Sequence, residues 1–208
     1  MSGDAAGALV RLSAAVAAGD RQRRISAMRG ASEVSSPRAV EETLLQSYLF
    51  LGFPAALTAL TEWRDLTGTH PTAETDSVDL FEWRRRGENV CRTVYGRAYD
   101  KLRGSVRRVH PAMDDWMIAE GYGKVLAREG LDLGTRELCI VAILAATGWE
   151  PQLHSHLRGA LHAGCDPASV AESLEIGLEL NEEAAWRDGA RSLWQRVRER
   201  HSARRDRG

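Results

Sequence analysis

Apolar residues recur along this chain at intervals of three and four positions, the spacing that places side chains on one face of a helix. Leu9, Leu12 and Val16 follow this spacing near the beginning of the chain, and the pattern returns over residues 90–98. No run shows the strict alternation of apolar and polar residues that is typical of a half-buried strand. The sequence therefore predicts an all-α protein.

Residues that begin or end helices separate these apolar stretches. Asp132 and Asp166 are predicted N-caps, because a carboxylate there accepts hydrogen bonds from the free amides of the first turn. Five prolines fall near predicted helix starts, where the missing amide donor costs nothing: Pro37, Pro54, Pro111, Pro151 and Pro167. Five glycines are predicted to end helices: Gly30, Gly68, Gly130, Gly148 and Gly164. The polar segment 67–78 is the predicted boundary between an amino-terminal hairpin and the rest of the chain.

The longest uncharged stretch covers residues 43–61 and is almost long enough to span a membrane as one helix. Polar residues such as Gln46 and Ser47, and a break at residues 52–54, divide it into two short helices. The sequence predicts a buried helical hairpin here and no membrane-spanning segment.

A second uncharged stretch, residues 138–146, begins directly after Arg136 and Glu137. A turn and a further helix follow, and that helix carries two histidines and an arginine within five positions. Charges at the edge of an apolar region interact strongly, because water screens them poorly. This part of the chain is therefore the predicted functional site.

The helix after that turn sorts its polar side chains onto two faces. At about 100° per residue, His156 lies at the edge of the apolar face, whereas His154, Arg158 and His162 form a separate stripe. The stripe needs another element, or another subunit, to enclose it. His154 and His156 diverge by about 200°, so they cannot share one ion, and no metal site is predicted.

Charge and cysteine content narrow the classes of partner and compartment. The net charge is −1, so no global field favours nucleic-acid binding. The three cysteines, Cys91, Cys139 and Cys165, lack C-x-x-C spacing, and their odd number without a signal peptide predicts a reducing cytoplasm.

Two motifs in the predicted site carry a family resemblance. TRELCIVAILAA, a short turn and SHLRGALHAG resemble the carboxymuconolactone decarboxylase and alkyl hydroperoxidase D (AhpD) superfamily, and residues 94–131 are similar to its decarboxylase branch. The resemblance follows the family's order over residues 91–180. It implies an AhpD-like helical bundle that assembles as a homo-oligomer, either a trimer or a hexamer.

The chain departs from the hydroperoxidase branch of the superfamily at its thiols. That branch carries C-x-x-C-x-x-x-H, and the two thiol positions are Trp149 and Gln152 here. Glu137 and His156 occupy the positions of the branch's proton-relay glutamate and histidine. Peroxidase or disulfide reductase activity is therefore the less expected alternative.

The chain also departs from the family in the order of its segments. Residues 38–65 resemble a hairpin that family decarboxylases carry after the H-x-R-G-A-L helix, and residues 167–197 resemble a degraded second copy. A circular permutation and an internal duplication both account for this, and we favour the permutation. The predicted organisation is a helical extension over 1–36 and a decarboxylase-like domain over 37–208, with the hairpin at 38–66 and the core at 79–197.

The resemblance implies decarboxylation of a small carboxylated lactone without metal or organic cofactor, the work of a carboxy-lyase in the catabolism of aromatic compounds. His156 would transfer the proton, and Glu137 would orient the imidazole of His156. Arg158 would complete the catalytic set by binding the substrate carboxylate, because a guanidinium binds a carboxylate bidentately. The other residues implied to contact the small-molecule substrate are Arg136, His154, Glu120, Tyr122 and Trp149.

Two other interpretations stay open on the residues alone. Glu137 and Arg136 fit an N-terminal carboxylate favoured by the helix dipole beside a surface arginine. The chain as a whole also fits a non-catalytic ligand-binding or structural member of the family, in which Trp149 fills the former thiol pocket.

Overall fold

The computed structural model describes residues 3–70 and 79–205, with side chains to residue 203, and every element in these ranges is helical. The predicted all-α class is confirmed, and the arrangement is consistent with an AhpD-like helical bundle. A 3₁₀ turn (Gly96–Ala98) and a π-helix (Met117–Leu126) interrupt the α-helices. The α-helices are α1 (Gly3–Ala18), α2 (Arg21–Val34), α3 (Pro37–Gln46), α4 (Tyr48–Thr67), α5 (Leu80–Tyr95), α6 (Tyr99–Val109), α7 (Pro111–Trp116), α8 (Leu133–Thr147), α9 (Glu150–His162), α10 (Pro167–Leu178) and α11 (Ala184–Arg205).

Helix α8 lies at the centre of the fold. Its residues 135–145 are all buried, as expected for a helix that is apolar on every side. Helices α1, α9 and α10 pack around it. The uncharged stretch 138–146 therefore forms the core helix, and Arg136 and Glu137, at the beginning of the same helix, are buried with it.

Most of the predicted helix ends are found in the structure. The Asp132 carboxylate accepts a hydrogen bond from the Thr135 amide at 2.9 Å, and Asp166 caps α10 in the same way. Gly68 and Gly148 end α4 and α8 in the left-handed conformation. Gly30 does not end a helix, because α2 continues past it to Val34.

The amino-terminal helices contribute to the same core as the rest of the chain. The predicted apolar stripe of α1, which includes Leu9, Leu12 and Val16, is buried. It packs against α8 and α10. The predicted boundary segment 67–78 lies outside the described residues from position 71 onward.

The hairpin of α3 and α4 is bent by 118° and is only partly buried, which corrects the prediction of a buried hairpin. Gly52 has φ of 79° and ψ of 167°, so the chain turns sharply inside α4. Phe53 and Leu57 are exposed just beyond this kink. No single helix among the described residues is long and apolar enough to cross a membrane, although α3 and α4 together pass on length and composition.

Helix α5 and the π-helix touch through their backbones. A Cβ atom at Gly87 would lie 1.9 Å from the carbonyl oxygen of Ile118, and one at Gly123 would lie 1.8 Å from the carbonyl oxygen of Trp83. Only glycine permits so close an approach. This contact fixes the position of the π-helix beside the residues described next.

Candidate acid–base site

Glu137 and His156 form a buried hydrogen-bonded pair between α8 and α9. The distance from His156 Nδ1 to Glu137 Oε2 is 2.9 Å. The glutamate is 0% exposed and the histidine 5%. His156 was predicted to point towards the core side of its helix, and it does so in the structure. Its partner is Glu137, the glutamate of the T-R-E motif.

Gly159 makes room for the Glu137 carboxylate against α9. A Cβ atom at this position would lie 2.4 Å from Glu137 Oε2 and 2.7 Å from Val94 Cγ1. These distances are shorter than van der Waals contact, so any side chain here would displace the carboxylate. The glycine of the H-x-R-G motif is therefore a geometric requirement of the pair.

The second oxygen of the Glu137 carboxylate, Oε1, is buried and has no hydrogen-bond partner within the described residues. A buried polar atom without a partner is uncommon and often marks a functional site or a bound water. The Glu137 pair therefore keeps one unused acceptor in the interior.

Tyr95, Tyr122 and Cys91 are among the buried groups on which the negative charge of Glu137 acts. Burial raises the pKa of Tyr95 to about 12, and the negative charge of Glu137 adds to the increase. Burial likewise raises the pKa of Tyr122 well above its usual value and that of Cys91 to about 12, again with a contribution from Glu137. All three groups are neutral at neutral pH, and the hydroxyls can donate hydrogen bonds.

An aromatic side chain from the hairpin lies against the histidine. The ring of Phe50 meets that of His156 edge to face, with centroids 5.7 Å apart. Phe50 precedes the kink at Gly52 by two residues, so the bend in α4 positions this contact. Phe50, Tyr95 and Cys91 were not predicted to be site residues, because they lie far in the chain from the T-R-E and H-x-R motifs.

Arg136, predicted to contact substrate, is bound inside the protein. Its guanidinium donates to Glu42 Oε2 at 2.9 Å, to Gln46 Oε1 at 3.2 Å and to the carbonyl oxygens of Leu131 and Arg128. It is 0% exposed, so the interpretation of a surface arginine is wrong. Its contacts join α3 to α8, and the structure gives it no open guanidinium for a substrate.

Arg158 and His154 lie on the opposite side of α9 from His156. They line a cavity closed by Arg200 and His201 of α11. The sequence predicted that this stripe needs another element to enclose it, and α11 is that element. The structure therefore does not bring Arg158 and His154 together with the Glu137–His156 pair.

The remaining predicted residues are divided between the interior and the surface. Tyr122 packs edge to face on Tyr95, with centroids 6.2 Å apart, and so joins the Glu137 group. Glu120 accepts a hydrogen bond from the Tyr48 hydroxyl at 3.0 Å. Trp149 is 58% exposed, so it does not fill a former thiol pocket.

A metal centre has no support in the part of the chain that the structure describes. Over residues 3–70 and 79–203, no group of three or more histidine, cysteine, aspartate or glutamate side chains is arranged to hold an ion. The arrangement that these residues do provide is a carboxylate–imidazole pair, which suits proton transfer.

The chain is similar in sequence to proteins of two yeasts. The chain is 27% identical over 151 residues to Peroxisomal protein 2 of Schizosaccharomyces pombe, a match that covers 69% of each protein. It is 21% identical over 182 residues to Peroxisomal protein 2 of Saccharomyces cerevisiae, covering 73% of this chain and 64% of that protein. Both relatives are named as peroxisomal, so the cytoplasmic location predicted from the cysteines is contradicted.

Residues 111–194 match the model of the carboxymuconolactone decarboxylase family. The match begins at α7 and ends inside α11, and it includes Glu137, His156 and Gly159. Tyr95, Phe50 and the Arg136 partner Glu42 lie before it. The resemblance seen in the motifs is confirmed over these residues, which are similar to the carboxymuconolactone decarboxylase family.

Proposed function

We propose that this protein is a cofactor-free acid–base enzyme that moves a proton to or from a carbon atom of a small carboxylated lactone or carboxylate. The observation that carries the proposal is the buried Glu137–His156 hydrogen bond with its unused carboxylate oxygen. A purely structural pair would be expected to use both carboxylate oxygens, because a buried acceptor without a partner costs free energy.

The geometry of the pair suggests how the histidine acts. With Glu137 as a carboxylate, His156 carries a proton on Nδ1 and donates it in the 2.9 Å hydrogen bond, an assignment made from the hydrogen-bond partner. The other ring nitrogen, Nε2, is then the atom that accepts or returns a proton. Glu137 orients the ring and stabilises the imidazolium when it forms.

A decarboxylation at this site would consist of the loss of carbon dioxide followed by protonation of the carbon that carried it. The bond between the substrate carbon and its carboxylate breaks, carbon dioxide leaves, and the electron pair stays on the carbon skeleton, delocalised onto the lactone carbonyl. The imidazolium Nε2–H then gives one proton to that carbon, and the ring regains a proton from water. The neutral hydroxyls of Tyr95 and Tyr122 can donate hydrogen bonds to an oxygen that gains charge.

The predicted trimer or hexamer remains part of this proposal. Arg136 is held inside the chain and Arg158 faces away from His156, so a cation for the substrate carboxylate is expected from a neighbouring copy. Phe53 and Leu57, exposed beyond the segment that covers His156, offer an apolar surface for such a contact. Light scattering of the purified protein tests this, and a single peak at the monomer mass would count against it.

Turnover of 4-carboxymuconolactone, followed by ultraviolet absorbance, tests the proposed chemistry. We expect His156→Gln and Glu137→Gln to lower turnover by about 10²–10⁴-fold, the typical contribution of a positioned acid or base. His70→Gln is the matched control, since His70 is exposed at the end of the hairpin. Equal turnover in the wild type and in a folded His156→Gln variant would refute the role of the pair.

A non-catalytic, ligand-binding or structural member of the family is the second candidate. The near-complete burial of His156 beneath Phe50 favours it, because a substrate must displace that ring to reach the imidazole. In that case the wild type shows no turnover, and His156→Gln lowers the melting temperature.

Peroxidase activity is the least supported alternative. Burial raises the pKa of Cys91 and Cys139 to about 12 and that of Cys165 to about 11. The thiolate is the reactive form of cysteine, and these environments disfavour it. Activity that depends on thiol reductant and disappears on alkylation would favour the peroxidase class instead.

A further inference from the structure

A basic cavity lies between α9 and α11, on the side of α9 opposite to His156. Its volume is about 100 Å³, and its polar lining consists of basic side chains: His154, Arg158, His162, Arg200 and His201. The remaining lining is apolar, from Leu161 and Val197, and within residues 3–70 and 79–203 no carboxylate lines the cavity. Five groups that carry or can accept positive charge therefore face one small space.

The positive charges around the cavity change the pKa of one of its lining histidines, His154. Burial and the nearby guanidiniums of Arg158, Arg200 and Arg196 lower the pKa of His154, and Glu150 opposes them weakly. These cations repel one another and hinder protonation of the imidazole. A negative charge in the cavity would relieve the repulsion and favour the protonated ring.

Part of the cavity wall is held in place before any ligand enters. His162 Nδ1 donates a hydrogen bond to the Val94 carbonyl oxygen of α5 at 2.8 Å, an assignment made from that partner. This bond fixes the ring and leaves Nε2 as its other nitrogen, free of that hydrogen bond. A preorganised wall lowers the ordering cost of binding.

We propose that this cavity binds a small doubly charged oxyanion, the chemistry of a phosphate group. Two guanidiniums on facing helices suit the oxygens of a tetrahedral anion, and the imidazoles can add hydrogen bonds. The cavity is several times larger than the ~30 Å³ of one water molecule in the liquid, so one such group fits inside it.

This site is separate from the acid–base pair. His154 and Arg158 are each two residues from His156 along α9, which turns them by about 200° away from it. Nothing in the proposed proton transfer requires the cavity. Failure of anion binding would therefore leave that function untouched, and loss of turnover would leave this site untouched.

The test measures anion binding by calorimetry and by the His154 ring signal in nuclear magnetic resonance, at ionic strength held constant with sodium chloride. Sulfate is the first probe, because its charge stays at −2 between pH 6 and 8, so a change in affinity over this range comes from the protein. We expect sulfate to bind more tightly at pH 6 than at pH 8 and to raise the pKa of His154. Inorganic phosphate and glycerol 3-phosphate then distinguish a free anion from the phosphate group of a larger molecule.

Variants on both walls decide whether the cavity is the site. We expect Arg158→Gln and Arg200→Gln each to weaken sulfate binding by about tenfold or more, as loss of a charge-assisted hydrogen bond implies. Arg198→Gln is the matched control, since it lies on α11, is exposed and does not line the cavity. Arg200 is itself exposed, so its replacement should not prevent folding, which circular dichroism checks.

Two results would overturn the proposal. One is equal sulfate affinity in the wild type and in both cavity variants. The other is a His154 response to sulfate no larger than the response to chloride at the same ionic strength, which would indicate general screening.

Discussion

Two buried carboxylates, Glu42 of α3 and Glu137 of α8, are bound differently. Glu42 accepts hydrogen bonds from the guanidiniums of Arg128 and Arg136, so both of its oxygens are used. Glu137 accepts one hydrogen bond from His156, and no residue in the described part of the chain bonds to its second oxygen. Arg136 and Glu137 are neighbours in sequence, yet one belongs to a saturated ion pair and the other to an unsaturated pair.

Under the proposed function, this difference separates a structural role for Glu42 from a chemical role for Glu137. A saturated buried pair joins helices and has no bonding capacity left for a ligand. An unsaturated pair is less stabilising, but it keeps an acceptor and an imidazole for a reacting group. Adjacent charged residues in one motif therefore need not share a function.

The largest expected effect follows from removing the charge of Glu42. Glu42→Gln leaves Arg136, which has no exposed surface, without its counterion. Breaking a buried pair in this way typically costs about 3–5 kcal/mol. Urea denaturation should show this loss in the free energy of unfolding.

The isosteric change at the other carboxylate is the matched control. Glu137→Gln should change the free energy of unfolding by only about 1 kcal/mol, because one hydrogen bond is altered. Arg11→Gln removes the exposed ion pair with Glu172 and should leave the midpoint of urea denaturation unchanged. Equal losses for Glu42→Gln and Glu137→Gln would remove the distinction between the two carboxylates.

An intermediate effect is expected at Gly159. In Gly159→Ala the new methyl group would overlap Glu137 Oε2 and Val94 Cγ1, which should lower the free energy of unfolding by about 1–3 kcal/mol. Gly189→Ala is the control, because a Cβ atom there meets nothing within 4 Å inside α11. It should be neutral or raise stability by up to ~1 kcal/mol. A stable Gly159→Ala variant with an intact histidine–glutamate bond would contradict the packing described above.

The smallest expected effect is a shift in tyrosine ionisation. Burial raises the pKa of Tyr95 to about 12, and the charge of Glu137 adds to this. Glu137→Gln removes that charge, so the pKa of Tyr95 should fall but stay above its usual value of 10, because burial remains. Absorbance at alkaline pH measures it in wild type and variant, with Tyr95→Phe identifying the signal. No difference between the two would mean that Glu137 carries no charge near Tyr95.

The sequence predicted the parts of the site that local periodicity determines. The core helix α8, its cap at Asp132 and the direction of His156 all follow from residues within one or two turns of each other. The separate stripe of His154 and Arg158 followed from the same geometry. These predictions needed no knowledge of distant contacts.

The parts that the sequence did not predict depend on contacts between distant segments. Arg136 was predicted to bind substrate, but in the structure it binds Glu42. Glu42 lies 94 positions earlier in the chain, and periodicity cannot pair residues that far apart. Tyr95 and Phe50 approach the site only after α5 and the kinked α4 have packed. Trp149 was predicted to be enclosed, but the turn that carries it faces outwards.

The backbone contact between α5 and the π-helix has a consequence for altering this protein. Tyr95 ends α5 and Tyr122 lies in the π-helix, so the main chains meeting at Gly87 and Gly123 set the spacing of the two rings. A side chain at Gly87 or Gly123 would collide with the facing main chain, so these two glycines are the positions where a substitution would push α5 and the π-helix apart. In the proposed acid–base function, the two hydroxyls would therefore keep a fixed spacing beside Glu137, and the contact of His156 that a substitution can alter is the Phe50 ring on α4.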